Sequence, residues 1–484
     1  MKNFLHVFLF LLTCSINAQT NCVNGFAGIY PCKNLDLLSN IPVSTLANTT
    51  GSPAGSDAWG WTDATTGKEY AIIGTSNSTA FVDITDPVNP LFLGRLNTAA
   101  GASIWRDVKV YNDHAFIVAD QVGSHGMQVF DLKRLRNISN PPITFTADTR
   151  YTGVNSCHNI VINESKGYAY LVGCNTFSGG VTFVDISDPE NPTSAGGYSS
   201  QGYTHDAQVV TYNGPDTDYI GREILVGSNT NKVVILDVTD KDNVIKISDI
   251  FYSQIGYTHQ GWFTDDQKYF ILGDETDEIN FGINTRTLIF DFSDLDNPVQ
   301  SSTYFGTSAA IDHNGYVLGN EFYLASYKAG IHVLDITNIG ASTNAMTEVA
   351  YFDTYPADNN TSFGGVWSVY PYFSSGSIVI SDSNRGMFVV KKNQTLSTNQ
   401  INFDKGFTLT PNPSSTPPAI IANQNQWIKS IEIFNSIGQN LFSISKINSK
   451  KFTLPTTSYT NGIYYIKING LGTKKLIINN AKHK

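Results

Sequence analysis

Six aspartates divide much of this 484-residue chain into similar lengths. Each closes an apolar run with strand character and opens a turn rich in Asp, Asn or Pro. AFVDITDPVNP holds Asp83, MQVFDLKRLRNISNPP holds Asp131, VTFVDISDPENP holds Asp185 and VVILDVTDKDNV holds Asp237. LIFDFSDLDNPV holds Asp291 and IHVLDITN holds Asp335. Successive aspartates lie 44 to 54 residues apart. A period near 50 with several short strands per unit is the mark of a propeller, in which each sheet buries its faces against its neighbours.

Aligning the strand that opens each unit gives seven starts: Trp59, Arg106, His158, His205, His259, His313 and Trp367. Each unit reads as a hairpin, then the apolar run ending in Asp, then a fourth strand after the turn. Asn-Gly, Asn-Asp, Lys-Gly and Ser-Gly pairs supply the hairpin turns. The seventh unit has GMFVVKKN (386–393) as its third strand but no Asp and no fourth strand. LDLLSNIPVSTL (35–46) carries Asp36 and Pro42 much as the other turns carry theirs. The sequence therefore predicts that the N-terminal strand completes the last sheet and leaves no unpaired seam. The expected fold is all-β, a seven-bladed β-propeller over 19–393, followed by a small C-terminal β-sandwich.

The ends extend this division. Residues 1–18, MKNFLHVFLFLLTCSINA, have a positive start, an apolar stretch and a small residue before Gln19, as a secretory signal peptide requires. Residues 394–401 are polar and read as a linker, and 402–484 alternate like a small antiparallel sandwich. After the signal no run of apolar residues is long enough for a transmembrane segment. Net charge is −10 and no basic stripe exists, which argues against nucleic acid as a partner. Four cysteines remain beyond the signal. Cys22 and Cys32 flank a short loop. Pairing Asn163 with Tyr168 across a hairpin sets Cys157 opposite Cys174. Both pairs are disulfide candidates, with buried free thiols the alternative for the second.

The unit starts gather chemistry. In a closed ring, the first strands line the channel and their starts meet at one mouth. Four consecutive units place His158, His205, His259 and His313 there, followed by residues that include Asp206. The second strands return to the same mouth and end on small residues (Gly74, Ala119, Gly173, Gly227, Gly273, Ala325, Ser381) followed by Asp120, Asp274 or Asp382 in three units. Glu275 extends the acidic set. Three readings compete. The histidines and carboxylates hydrogen-bond neighbouring backbone and fix the repeat. Or His158, His205, His259 and His313 bind a divalent transition metal, at about 2.0–2.2 Å for zinc. Or His259 works with Asp274 or Glu275 as acid and base in a metal-assisted extracellular hydrolase or lyase. DETDE (274–278) offers oxygens suited to calcium, although a solvated acidic loop is the plainer reading. Trp59, Trp61, Trp262 and Trp367 offer stacking faces, with Trp61 and Trp262 read as packing between sheets.

Two resemblances add to this. LTPNPSS (409–415), IEIFNSIGQ (431–439), GIYYIKI (462–468) and KKLIIN (474–479) resemble the type A sorting domain of the type IX secretion system. That resemblance implies the type IX machinery as a partner, and location outside the cell or on the outer-membrane surface of a Gram-negative bacterium. FVDITDP (81–87), FVDISDP (183–189) and VLDIT (333–337), with SCHNIV, YTHDAQ, YTHQGW and DHNGY, resemble the choice-of-anchor B family, built of repeats named for a Leu-Val-Ile-Val-Asp consensus. It implies a propeller joined to a surface anchor and brings no activity. Together these readings describe a secreted or cell-surface binding protein that recognises an extracellular protein, peptide or glycan at the channel mouth.

Overall fold

The computed structural model describes residues 19–47, 52–393, 406–423, 426–435, 439–455, 459–470 and 472–479. The signal-peptide and linker readings lie outside the described residues. The chain divides into two compact units, one ending at Asn393 and one beginning at Gln394.

The first unit holds seven separate sheets, each built on four antiparallel strands, and in the first of them Ile143–Phe145 adds a parallel strand beside Leu91–Asn97. The third shows the pattern: Asn159–Asn163, Tyr168–Val172, Val181–Asp185 and Thr193–Tyr198 pair in chain order. The opening strands of successive sheets lie side by side, first against second and onward, and the seventh lies against the first. The seventh sheet contains Val366–Tyr370, Ser377–Asp382 and Gly386–Lys392, and its fourth strand is Leu35–Ile41. The register runs from Leu35 opposite Lys392 to Ile41 opposite Met387. The N-terminal strand thus fills the place that the last repeat leaves empty. Just before it, Tyr30–Lys33 extends the outer edge of the sixth sheet by pairing with Thr347–Phe352.

The repeated aspartate has a local cause. Asp83, Asp131, Asp185, Asp237, Asp291 and Asp335 each accept a hydrogen bond from the backbone N–H two residues on, at 2.8–3.0 Å. This side-chain turn ends the third strand and reverses the chain in the first six sheets. Burial explains the apolar runs before it. Middle strands are packed on both faces, so apolar residues occupy consecutive positions rather than alternating. Glu69–Thr75 is buried at every position. Phe116, Val118 and Val129 of the second sheet pack on Ile160, Leu171 and Val184 of the third. The outer strand Thr193–Tyr198 of the third sheet, by contrast, has no buried residue.

Both cysteine pairs are disulfides, Cys22 with Cys32 and Cys157 with Cys174. The third-sheet hairpin has the expected register, with Asn163 opposite Tyr168. The second unit contains two sheets around one apolar core that includes Ile420, Ile431, Ile433, Ile466 and Leu476.

The first sheet corrects the alignment of its opening strand. Trp59 is not the counterpart of the histidines. Asp57 lies with Asp107, both bonded to the Lys109 ammonium at 3.2 and 2.6 Å, and Asn314 donates to Asp57 at 3.3 Å. Ser56 therefore takes the place matching Arg106 and His158, and Trp59 falls two residues beyond Asp57, as Lys109 does beyond Asp107. The hairpin after this strand has a longer loop, held by Asp63, and that shifted the count by three.

Candidate functional site

The four histidines of sheets three to six form a continuous stack. Ring centroids are 4.2 Å apart for His158–His205, 4.4 Å for His205–His259 and 4.3 Å for His259–His313. The stack follows from the ring: each side chain starts an inner strand, and each inner strand lies against the next. His205 Nδ1 lies 3.1 Å from the His259 carbonyl oxygen, and His313 Nδ1 lies 2.6 Å from that of Trp367. Donation from Nδ1 leaves Nε2 as the free acceptor or metal donor. The other two differ: among the described residues His259 Nδ1 is buried without a hydrogen-bond partner, and His158 Nδ1 meets Asp120 Oδ2 at 2.9 Å. Gly173, at φ +62°, makes room for it: a Cβ there would sit 2.6 Å from His158 Cβ.

A carboxylate closes on the far end of the stack. Glu275 Oε2 lies 3.7 Å from His259 Nε2, and Glu275 Oε1 lies 3.7 Å from His313 Nε2. Tyr327 donates its hydroxyl to Glu275 Oε1 at 2.8 Å. Among the described residues, two groups of three metal-capable side chains bring one donor atom each within 4.8 Å of the others. One is His259, Glu275 and His313. The other, Asp216, Asp294 and Asp296, sits on turns where Asp216 and Asp294 accept backbone N–H groups of Leu295 and Asp296. The first group is different in kind. Its donors face one another beyond hydrogen-bonding reach. Two zinc–ligand bonds of ~2.0–2.1 Å at a tetrahedral angle set donors roughly 3.4 Å apart, so donors within 4.8 Å of one another would have to draw together by up to about 1.4 Å to share one ion. Burial drives His205 and His259 well below the ordinary histidine pKa and His313 to about 4, so all three imidazoles are neutral. Burial also pushes Glu275 up to about 7, against the Tyr327 hydrogen bond that favours the charged form.

The stack does not bring its four members to one point. His158 is committed to Asp120, and His205 lies beyond the reach of Glu275 that His259 and His313 share. Two other carboxylates expected at the mouth are turned elsewhere. Asp274 accepts the N–H groups of Gly256 and Tyr257 and the Tyr252 hydroxyl, at 2.6–3.1 Å. Asp382 accepts from Thr354 Oγ1 and from the N–H groups of Asn384 and Arg385. Both hold the loops of their own sheets. Nor is DETDE a solvated loop: Asp274, Asp277 and Glu278 are buried, with Arg286 bonded to Asp277 at 2.6 Å. Burial, then Asp277 beside it, raises Glu278 to about 9.

Two cavities meet at this mouth. A small one of about 20 Å³ lies among the four histidines, Asp57, Asp107, Asn159 and Asn314. A larger one of about 470 Å³ is lined by Ile104, Trp105, Glu275, Tyr327, Phe363 and Trp367, among others. Trp105 and Trp367 line both. The channel floor below is closed by Lys109 with Asp57 and Asp107, and by Asp206, which burial raises to about 7. Trp59 and Trp262 belong to a third cavity beyond that floor, whereas Trp61 stacks on Tyr70 inside a sheet interface. The stacking faces expected together are therefore split between the two mouths and the core.

Sequence reasoning missed Asp57, Tyr327, Trp105 and Phe363. Asp57 carried a signal: Ser56-Asp57-Ala58 parallels Arg106-Asp107-Val108 and His205-Asp206-Ala207. The others sit in connecting loops or follow strands, where no repeat fixes them.

This site stands on a β-propeller whose chain ends in a second, smaller β unit. Residues 408–479 match the family described as "Secretion system C-terminal sorting domain". Such a tail marks an exported, secreted or surface-displayed protein. No curated protein matches the chain. Among solved structures, one similar chain is PorZ, described as an essential bacterial surface component of the type-IX secretion system of Porphyromonas gingivalis. Identity is 13% and the TM-score 0.45, over 86% of this chain and 58% of that one. Another is the C-terminal WD40 domain of Sif2, at 8% identity and TM-score 0.46, over 74% of this chain and 98% of that one. The chain thus spans little more than half the length of the PorZ structure.

Proposed function

We propose that this protein is a binding protein of the cell surface or extracellular space, exported by the type IX secretion machinery. On this reading 1–18 is the signal peptide, 19–393 a seven-bladed propeller of the choice-of-anchor B kind, 394–401 a linker and 402–484 a sorting β-sandwich. Seven sheets in cyclic contact, with Leu35–Ile41 completing the last, support the propeller. The match over 408–479 supports the export route.

The ligand is recognised at the histidine mouth, and a divalent transition metal is part of the site. His259, His313 and Glu275 hold the ion, with Tyr327 orienting the carboxylate. The observation that carries this reading is the convergence of two neutral imidazole nitrogens and one carboxylate, contributed by neighbouring sheets, within 4.8 Å. Neutral imidazole with carboxylate is a donor set suited to zinc and its neighbours rather than to calcium. Of the three residues that would hold the ion, Glu275 also lines the larger cavity, whereas His259 and His313 line the smaller one.

Metal analysis after zinc loading and dialysis tests the reading. About one equivalent should remain on the protein. His259→Ala and Glu275→Gln should each lower affinity at least tenfold while leaving the circular dichroism spectrum unchanged. Less than a tenth of an equivalent on the unaltered protein would refute the metal centre. Loss of fold in both variants would favour the purely structural role.

A further inference from the structure

The cavity beside the candidate metal centre has an unusual balance of walls and charge. Trp105, Trp367, Phe363, Tyr327 and Ile104 give it aromatic and aliphatic faces, and Glu275 is the one ionisable carboxylate on its lining. Phe363 and Ile104 are exposed, at 56% and 40%, so the cavity opens outward. No Lys or Arg lines it. About 470 Å³ matches a single-ring compound or one large peptide side chain rather than a folded partner.

Charge counting at the centre then decides what such a ligand carries. A divalent ion contributes +2. Imidazole coordinates as a neutral donor and a carboxylate as a monoanion, so the occupied centre would keep one positive charge. Glu275 borders this aromatic-walled space directly, and the His313 ring lies 4.8 Å from those of Tyr327 and Trp367 on its wall, so a monoanionic donor from a ligand seated there would balance that charge. No cationic side chain on the wall competes for that donor.

We infer that this cavity takes an aryl or arylalkyl carboxylate, free or as the end of a peptide, whose carboxylate completes the coordination of the ion held by His259, His313 and Glu275 while its ring packs between Trp105, Trp367 and Phe363. This inference rests on the metal reading above. It goes further by naming the ligand's two chemical parts and by making anion recognition depend on the metal.

The test uses the full chain, zinc-loaded, and calorimetric titration with 3-phenylpropionate. 3-Phenylpropanol and 3-phenylpropylamine serve as neutral and cationic counterparts. The carboxylate should bind at least tenfold more tightly than either, and its binding should vanish after zinc is stripped with a chelator. Phe363→Ala should weaken it several-fold and leave zinc stoichiometry at one, since Phe363 offers the ion no donor. Retained zinc with equal binding of all three compounds, or with no carboxylate binding, would overturn the ligand assignment alone. Tighter binding of the amine to zinc-free protein would overturn it in favour of an aromatic cation site built on Glu275. Failure of zinc to bind at all would remove the metal reading and this inference together.

Discussion

Single carboxylates in this protein are set to different tasks by what surrounds them. The six turn aspartates are local devices, each serving a backbone N–H two residues away. Glu275 is held by Tyr327 at the mouth, and Asp57 is held by Lys109 in the channel. Asp63 shows how such an environment becomes stability. It accepts from Arg136 Nε at 2.6 Å and Nη2 at 2.7 Å, from the Thr66 hydroxyl and from the Thr65 N–H, and its side chain is fully buried. The Arg136 guanidinium first, then these other donors, hold its carboxyl well below the ordinary range. The folded state thus binds this proton more weakly than the unfolded chain does. The stabilisation is complete above the unfolded pKa of about 3.9 and is lost as pH falls toward the depressed folded value. Asp63→Asn should cost about 1.5–3 kcal/mol at pH 7, the range for hydrogen bonds to a charged group. Denaturant unfolding across pH should show the gap between the two proteins narrowing below about pH 4. A gap that is constant with pH would mean that the charge is not what Asp63 contributes.

At the scale of the strand and sheet, the chain depends on one long-range pairing. Leu35–Ile41 covers Gly386–Lys392, which would otherwise offer a row of open N–H and C=O groups. Leu35 is completely buried, in a cluster with Phe352, Phe388 and Val390. A chain lacking residues 19–41 should therefore lose the folded monomer and elute as aggregate in size-exclusion chromatography. A stable truncated monomer would show that the seam needs no strand. This pairing was legible from sequence because the seventh repeat lacked a fourth strand and residues 35–46 resembled one. The period was legible because six of the seven units close on the same aspartate. Other features left no such trace. The longer loop of the first hairpin hid Asp57 behind Trp59. The side chains of Asp274 and Asp382 turn toward their own loops, a choice that strand alternation does not determine. The meeting of Glu275 with His313 joins neighbouring sheets, and only their contact brings it about.

For the whole chain, the sorting-domain match and the histidine cluster belong to different units. The C-terminal unit has its own core and matches a sorting domain, so it carries the address. Deleting residues 402–484 should leave the remaining chain in the periplasm, measured by fractionation of the producing bacterium. Its normal appearance outside the cell would contradict that assignment. The seven-sheet unit carries the site. Its cyclic contact brings His259, His313 and Glu275 together without a local sequence motif. The most direct test is anomalous diffraction from crystals of zinc-loaded protein, recorded above and below the zinc edge. The account predicts one peak at about 2.0–2.2 Å from Nε2 of His259, Nε2 of His313 and a Glu275 oxygen. Fully loaded crystals with that position empty, or with the peak on other residues, would contradict it.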